Sequence, residues 1–135
     1  MTACGARLTV LERKPVLAPT RDGLRVTLDP RDLEDCNKVL STSTMLLNDT
    51  LDEVLSHCRA ARVLAMIGPG ASCLADPLFR RGVTLLGGVW VENPAAMRDP
   101  RANAQAWGTR TRKTALTSAL YPGLDALLTG SQRPP

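Results

Sequence analysis

Short apolar runs, separated by polar or glycine-containing segments, recur along the chain. The clearest is Val63-Leu64-Ala65-Met66-Ile67, apolar throughout with no alternation. Such a run suits a strand covered on both faces, as in a parallel sheet. Gly68-Pro69-Gly70-Ala71-Ser72 ends it, because glycine permits positive φ and close approach of another group, and Pro69 has no N–H to extend a ladder. Asp76-Pro77 then predicts a short helix, with Asp76 as N-cap and proline at N1. Leu78 and Phe79 give that helix apolar contacts, and Gly82 stops it. Val83 to Leu86 predicts the next strand, closed by Gly87-Gly88. Strand, loop, helix, strand is the order of a parallel α/β unit.

The remaining pattern extends this reading. Leu8 to Leu11 predicts a strand with Glu12 at its carboxyl end. Leu24, Val26 and Leu28 alternate, which allows a short edge strand. Asp29-Pro30 repeats the cap-and-proline signature and predicts a short helix over 30–36. Val39 to Thr44 predicts a strand that turns polar at its end. Thr50-Leu51-Asp52-Glu53 is a capping box, and Leu51, Val54, Leu55 and Cys58 follow at helical spacing. Val89-Trp90-Val91 either extends the preceding strand or begins a loop. Asn93-Pro94 predicts a further helix, residues 100–113 read as irregular structure or a poorly defined helix, and residues 114–120 read as strand or helix. Leu124 to Leu128 predicts a short last helix, and a disordered tail follows over 129–135.

Composition narrows the function classes. A chain of 135 residues with 44% hydrophobic residues is expected to form one domain with a real core. Aromatic residues are only 3%, so that core rests on Leu, Val, Ala and Met. The net charge of +4 comes from 17 basic and 13 acidic residues, with much of the excess toward the C-terminus. No aromatic residue interleaves with a basic run, so nucleic acid is not an expected partner. No stretch approaches about 20 apolar residues, so no membrane span is expected. The N-terminus has no signal-peptide core, and the expected setting is the cytoplasm. Cys4, Cys36, Cys58 and Cys73 are widely spaced and read as free thiols.

Several residues carry candidate chemistry. An acidic residue after a strand, such as Glu12, binds a ribose hydroxyl in nucleotide-binding folds; with no glycine-rich turn before it, it reads more readily as a loop carboxylate paired with Arg13 or Lys14. Ser41-Thr42-Ser43-Thr44 places four hydroxyls in a row that either line a cleft or cap backbone. The Gly68-Pro69-Gly70 loop stands at a strand end, where open α/β sheets bind ligands, and reads equally as a tight turn. Neither GxGxxG nor GxxxxGK[ST] is present, and there is no CxxC or HxxxH. His57, the single histidine, lies beside the apolar stripe and reads as exposed and structurally neutral.

The segments Leu8-Thr9-Val10-Leu11-Glu12-Arg13-Lys14-Pro15, Leu46-Leu47-Asn48-Asp49-Thr50-Leu51, Ile67-Gly68-Pro69-Gly70-Ala71-Ser72 and Asp76-Pro77-Leu78-Phe79-Arg80-Arg81-Gly82-Val83, in this order, resemble the Rossmann-like C-terminal domain of the "putative heavy-metal chelation" family. The resemblance covers Leu8 to about Lys113. It implies a three-layer, Rossmann-like α/β domain over 1–128 with a mostly parallel sheet and a ligand cleft at its strand-end loops. In that family an enolase-like α+β domain precedes this one, and the cleft lies between the two. Here that domain, the first Rossmann-like strand and its glycine loop are expected to be missing. That would leave an edge for a partner chain or for self-association.

Carried over by motif, the ligand-binding candidates are Glu12, Thr44, Asn48, Thr50, Gly68, Pro69, Gly70, Ser72 and Gly87, with Cys73 as a candidate soft-metal contact. The expected ligand is a small anionic or metal-chelating molecule, and the family name implies a transition-metal ion. An enzyme acting on a small anionic molecule and a non-catalytic remnant that needs a partner chain stand as the alternatives.

Overall fold

The computed structural model describes residues 5–14, 24–92 and 111–130. Among these residues two open sheets form. β1 (Leu8–Leu11) and β2 (Leu24–Thr27) pair in parallel. β3 (Lys38–Thr42), β4 (Val63–Ile67), β5 (Leu85–Val91) and β6 (Thr111–Thr117) form a second sheet in that order. The first three of these are parallel, and β6 runs antiparallel to β5. Parallel neighbours need crossover connections, which here are α1 (Leu51–Ser56) between β3 and β4 and α2 (Asp76–Arg80) between β4 and β5. The last described element is α3 (Leu124–Gly130). Mostly parallel strands with short crossover helices make this a Rossmann-like α/β fold.

The continuous apolar run over 63–67 splits by side-chain direction. Leu64 and Met66 point into the core and are almost fully buried. Registered beside them, Leu86 and Leu116 face the same side. Val54 and Leu55 from α1, Cys58 just beyond it, and Ala75, Leu78 and Val83 around α2 close over them in one cluster. Among the described residues no helix covers the opposite face, and Leu40 (69% exposed), Val63 (41%) and Ile67 (40%) stand open there.

Three local expectations are corrected. β5 is not closed by Gly87-Gly88 but runs through both to Val91. It also starts later than Val83, at Leu85; just before it the Thr84 N–H donates to the Leu64 carbonyl at 2.8 Å and the Thr84 hydroxyl accepts from the Leu64 N–H at 3.0 Å. Residues 111–113, read as irregular, are the start of β6. α3 runs to Gly130, two residues into the expected tail. The helix expected after Asn93-Pro94 lies outside the described residues.

The two Asp-Pro signatures diverge. Asp29 caps its 3₁₀ turn (Pro30–Leu33) as predicted, accepting from the Arg31 N–H. Asp76 does not cap α2; it is the first residue of that helix. Its carboxylate reaches across to α3 instead, accepting from the Tyr121 hydroxyl at 2.5 Å and from the Leu124 N–H at 3.2 Å. It therefore satisfies an otherwise orphaned amide at the start of α3. The Tyr121 hydrogen bond holds the Asp76 carboxyl below its ordinary range, and the same bond raises the Tyr121 hydroxyl. Phe79 packs edge-on against the Tyr121 ring with centroids 5.8 Å apart.

Candidate functional site

A cleft of about 900 Å³ opens between the two sheets. β1 and its extension through Lys14 form one wall, β3 forms the other, and Thr44, Asn48 and Thr50 stand at one end. The two strands run in the same direction. Leu8 and Lys38, at their amino ends, line a second hollow together. At the carboxyl end, the Arg13 guanidinium lies 3.8 Å from the Glu53 carboxylate of α1. The cleft body is largely apolar, and the carboxyl-end rim carries Glu12, Arg13, Lys14, Thr42, Thr44, Asn48 and Thr50.

The rim is built by two loops. After β3 the chain turns at once into a 3₁₀ helix over Ser43–Leu46, which presents Thr44. Asp49 then adopts a left-handed conformation (φ 57°), which costs a non-glycine residue about 1–2 kcal/mol. Strain of this kind is retained where surrounding structure fixes a loop's shape. Here it turns Asn48 and Thr50 toward each other, and the Thr50 hydroxyl donates to Asn48 Oδ1 at 2.7 Å. That bond fixes the amide with its N–H₂ donors directed away from Thr50. It also replaces the expected capping box: Thr50 is the N-cap of α1 but makes no side-chain cap bond. Thr50 is buried and Asn48 is exposed.

Glu12 folds back on its own turn. One carboxylate oxygen accepts from the Arg13 N–H at 2.8 Å and the Lys14 N–H at 3.1 Å. This is the local pairing that the sequence allowed, and it holds the carboxylate at the rim.

The Gly68-Pro69-Gly70 loop does not reach the cleft. A Cβ on Gly68 would stand 2.4 Å from Ser43 Oγ, and Gly68 has a φ of 132°. The Gly70 N–H donates to Ser43 Oγ at 3.1 Å. The Gly68 N–H donates to the Gly87 carbonyl at 2.9 Å. The close approach that glycine permits is thus made by the protein's own Ser43, which is buried. Ser72 turns its hydroxyl to the Val89 backbone at 3.4 Å. A Cβ on Gly87 would meet the Ile67 side chain at 2.8 Å. The structure therefore brings together Glu12, Thr44, Asn48 and Thr50, and leaves Gly68, Pro69, Gly70, Ser72 and Gly87 to join adjacent strands.

Sequence reasoning missed the basic pair Arg13 and Lys14 as rim residues, although their position after the β1 run was a usable signal. His57, expected to be exposed and structurally neutral, is half-buried and has its Nδ1 2.7 Å from Glu34 Oε1. That pair is no part of the cleft lining. Cys73 is exposed, and burial of its sulfur pushes the thiol up rather than down. That is opposite to an activated thiolate.

The sequence pattern described as "Putative heavy-metal chelation", DUF364, matches residues 1–119. The chain belongs to the DUF364 family. Two solved structures of DUF364 proteins of unknown function share its fold. The protein from Pyrococcus horikoshii is 20% identical over 81% of this chain, with a TM-score of 0.60. The protein from Desulfitobacterium hafniense is 22% identical over 82%, with a TM-score of 0.58. The chain spans 46% and 52% of those two proteins. No curated protein matches.

The DUF364 description raises a metal ion, and the donor set can be tested against it. Among the described residues, no three His, Cys, Asp or Glu side chains come together as ligands. The rim offers one carboxylate, an amide and hydroxyls, all hard oxygen donors, and Cys73 stands apart from them. This set does not suit a soft or borderline transition metal bound directly.

Proposed function

We propose that this chain binds a small anionic molecule, or a metal ion already held in such a molecule, at the rim between β1 and β3. The single observation that supports this reading is the convergence of Glu12, Thr44, Asn48 and Thr50 on one cleft at the carboxyl ends of two parallel strands. In open α/β sheets, ligands bind at the carboxyl end where the chain's path reverses direction across the sheet. Here the chain goes outward from β1 to β2 on one side and from β3 to β5 on the other. Arg13 and Lys14 supply positive charge for an anion, the Thr44 hydroxyl and the Asn48 amide N–H₂ supply directed hydrogen bonds, and Thr50 holds the Asn48 amide in place. A metal would arrive as a chelate, its coordination sphere filled by the small molecule. Cys36, Cys58 and Cys73 are free, which supports a reducing, cytoplasmic setting.

Calorimetric titration tests this reading with citrate, Ni(II)–citrate, and bare Ni(II), Co(II), Cu(II) and Zn(II). Binding of citrate or its chelate, with flat heats for the bare ions, is expected. One-to-one binding of a bare ion that persists in Asn48→Ala would contradict it.

A further inference from the structure

The rim stands at the carboxyl ends of β1 and β3; the second hollow, of about 820 Å³, opens at their amino ends. That volume lies within the range of small-molecule sites, roughly 300–1,000 Å³. Four cations line it: Arg7 just before β1, Arg25 in β2, Arg31 in the 3₁₀ turn and Lys38 at the start of β3. Two carboxylates, Asp32 and Asp35, line it with them. These charges are not equivalent. Asp32 holds the Arg25 guanidinium at 2.6 Å, and Asp29, outside the lining, holds the Arg31 guanidinium at 3.0 Å. Each of those arginines is fixed and largely neutralised by its partner. Arg7, Asp35 and Lys38 are left over: all three are exposed, and among the described residues none of them has an ion-pair partner.

We propose that this second hollow binds a phosphorylated sugar. Arg7 and Lys38 stand on different sheets, one on each side of the hollow, so a phosphate group bridges them. The guanidinium forks onto two phosphate oxygens, and the ammonium adds a compact charge. A bare anion would account for the two cations but not for Asp35, whose charge opposes it. A carboxylate accepts hydrogen bonds only, which suits the hydroxyls of a sugar. Asn37, on the same wall between Asp35 and Lys38, adds an amide that both donates and accepts. Its place is fixed, because its backbone carbonyl accepts from the Arg62 N–H at 2.9 Å and the Val63 N–H at 3.4 Å.

This inference does not rest on the ligand proposed for the rim. The two hollows meet along Leu8, Thr9, Cys36 and Lys38, but none of Glu12, Arg13, Thr44, Asn48 and Thr50 lines the second.

The test is calorimetric titration of the whole chain with glucose 6-phosphate, ribose 5-phosphate and inorganic phosphate. One-to-one binding of at least one sugar phosphate is expected, roughly tenfold or more tighter than inorganic phosphate. Arg7→Gln and Lys38→Gln should each weaken it by roughly tenfold, the loss of one charged hydrogen bond. Asp35→Ala decides the sugar part: it should weaken the sugar phosphate and tighten inorganic phosphate. Asn48→Ala, at the rim, should leave both within about twofold. All these side chains are exposed, so the variants are expected to keep the fold. Flat heats for both sugar phosphates, affinity no better than that of inorganic phosphate, or tighter binding of the sugar phosphate in Asp35→Ala would overturn the proposal. So would binding lost in Asn48→Ala and kept in Lys38→Gln, which would place the sugar phosphate on the rim.

Discussion

Two loops follow the carboxyl ends of adjacent parallel strands, and they have opposite fates. The loop after β4 is rich in glycine and is packed shut. The loop after β3 is held by Asn48, Asp49 and Thr50 and stands at the mouth of the cleft. In the first, left-handed φ at Gly68 lets Ser43 sit against the backbone. In the second, left-handed φ falls on an aspartate, and its neighbours turn to the cleft. A glycine at a strand end announces that something comes close to the backbone. What comes close is decided by the neighbouring element, which here is the 3₁₀ helix carrying Ser43.

The comparison breaks most sharply at Gly68. Gly68→Ala forces a side chain into the left-handed region and against Ser43 Oγ, at an expected cost on the order of 3 kcal/mol. Chemical denaturation measures the loss. Combining it with Ser43→Gly should restore part of the stability, and no restoration would mean that the contact with Ser43 is not the cause.

Ser43→Ala alone removes the acceptor of the part-buried Gly70 N–H. It should cost about 1–2 kcal/mol, with citrate binding at the rim kept.

On the other loop, Asp49→Gly should raise stability by up to about 1 kcal/mol by relieving the left-handed conformation. It should weaken binding at the rim, because a freer backbone holds Asn48 less firmly.

The smallest effect belongs to the Asp76–Tyr121 pair, which takes no part in the cleft lining. The folded Asp76 carboxyl lies below its unfolded value, so its contribution is present above about pH 4 and is lost as pH falls through the folded value. Tyr121→Phe should flatten that acid limb in a melting-temperature profile and leave ligand binding at neutral pH unchanged.

Much of the fold was legible because its signals are local. The continuous run over 63–67, the helical stripe from Leu51 to Cys58 and the Asp29-Pro30 cap each fix their own element. What failed depended on distant partners. Asp76 carries a helix-start signature, yet Tyr121 and Leu124, more than forty residues away, claim its carboxylate. Gly87-Gly88 reads as a strand end, yet β6 pairs across both residues. At the candidate site, the motifs single out Glu12, Thr44, Asn48 and Thr50, which line one cleft. Their separation from the glycine loop was not visible, because it turns on where Ser43 packs.

The central claim is that the rim between β1 and β3, not the glycine loop, holds the ligand. Its most direct test is the affinity for Ni(II)–citrate of two exposed-residue variants, Asn48→Ala at the rim and Ser72→Ala on the glycine loop. Asn48→Ala should weaken binding by roughly tenfold or more, the loss of one good hydrogen bond, and Ser72→Ala should leave it within about twofold. Loss in Ser72→Ala with Asn48→Ala unaffected would move the site to the glycine loop and contradict the account.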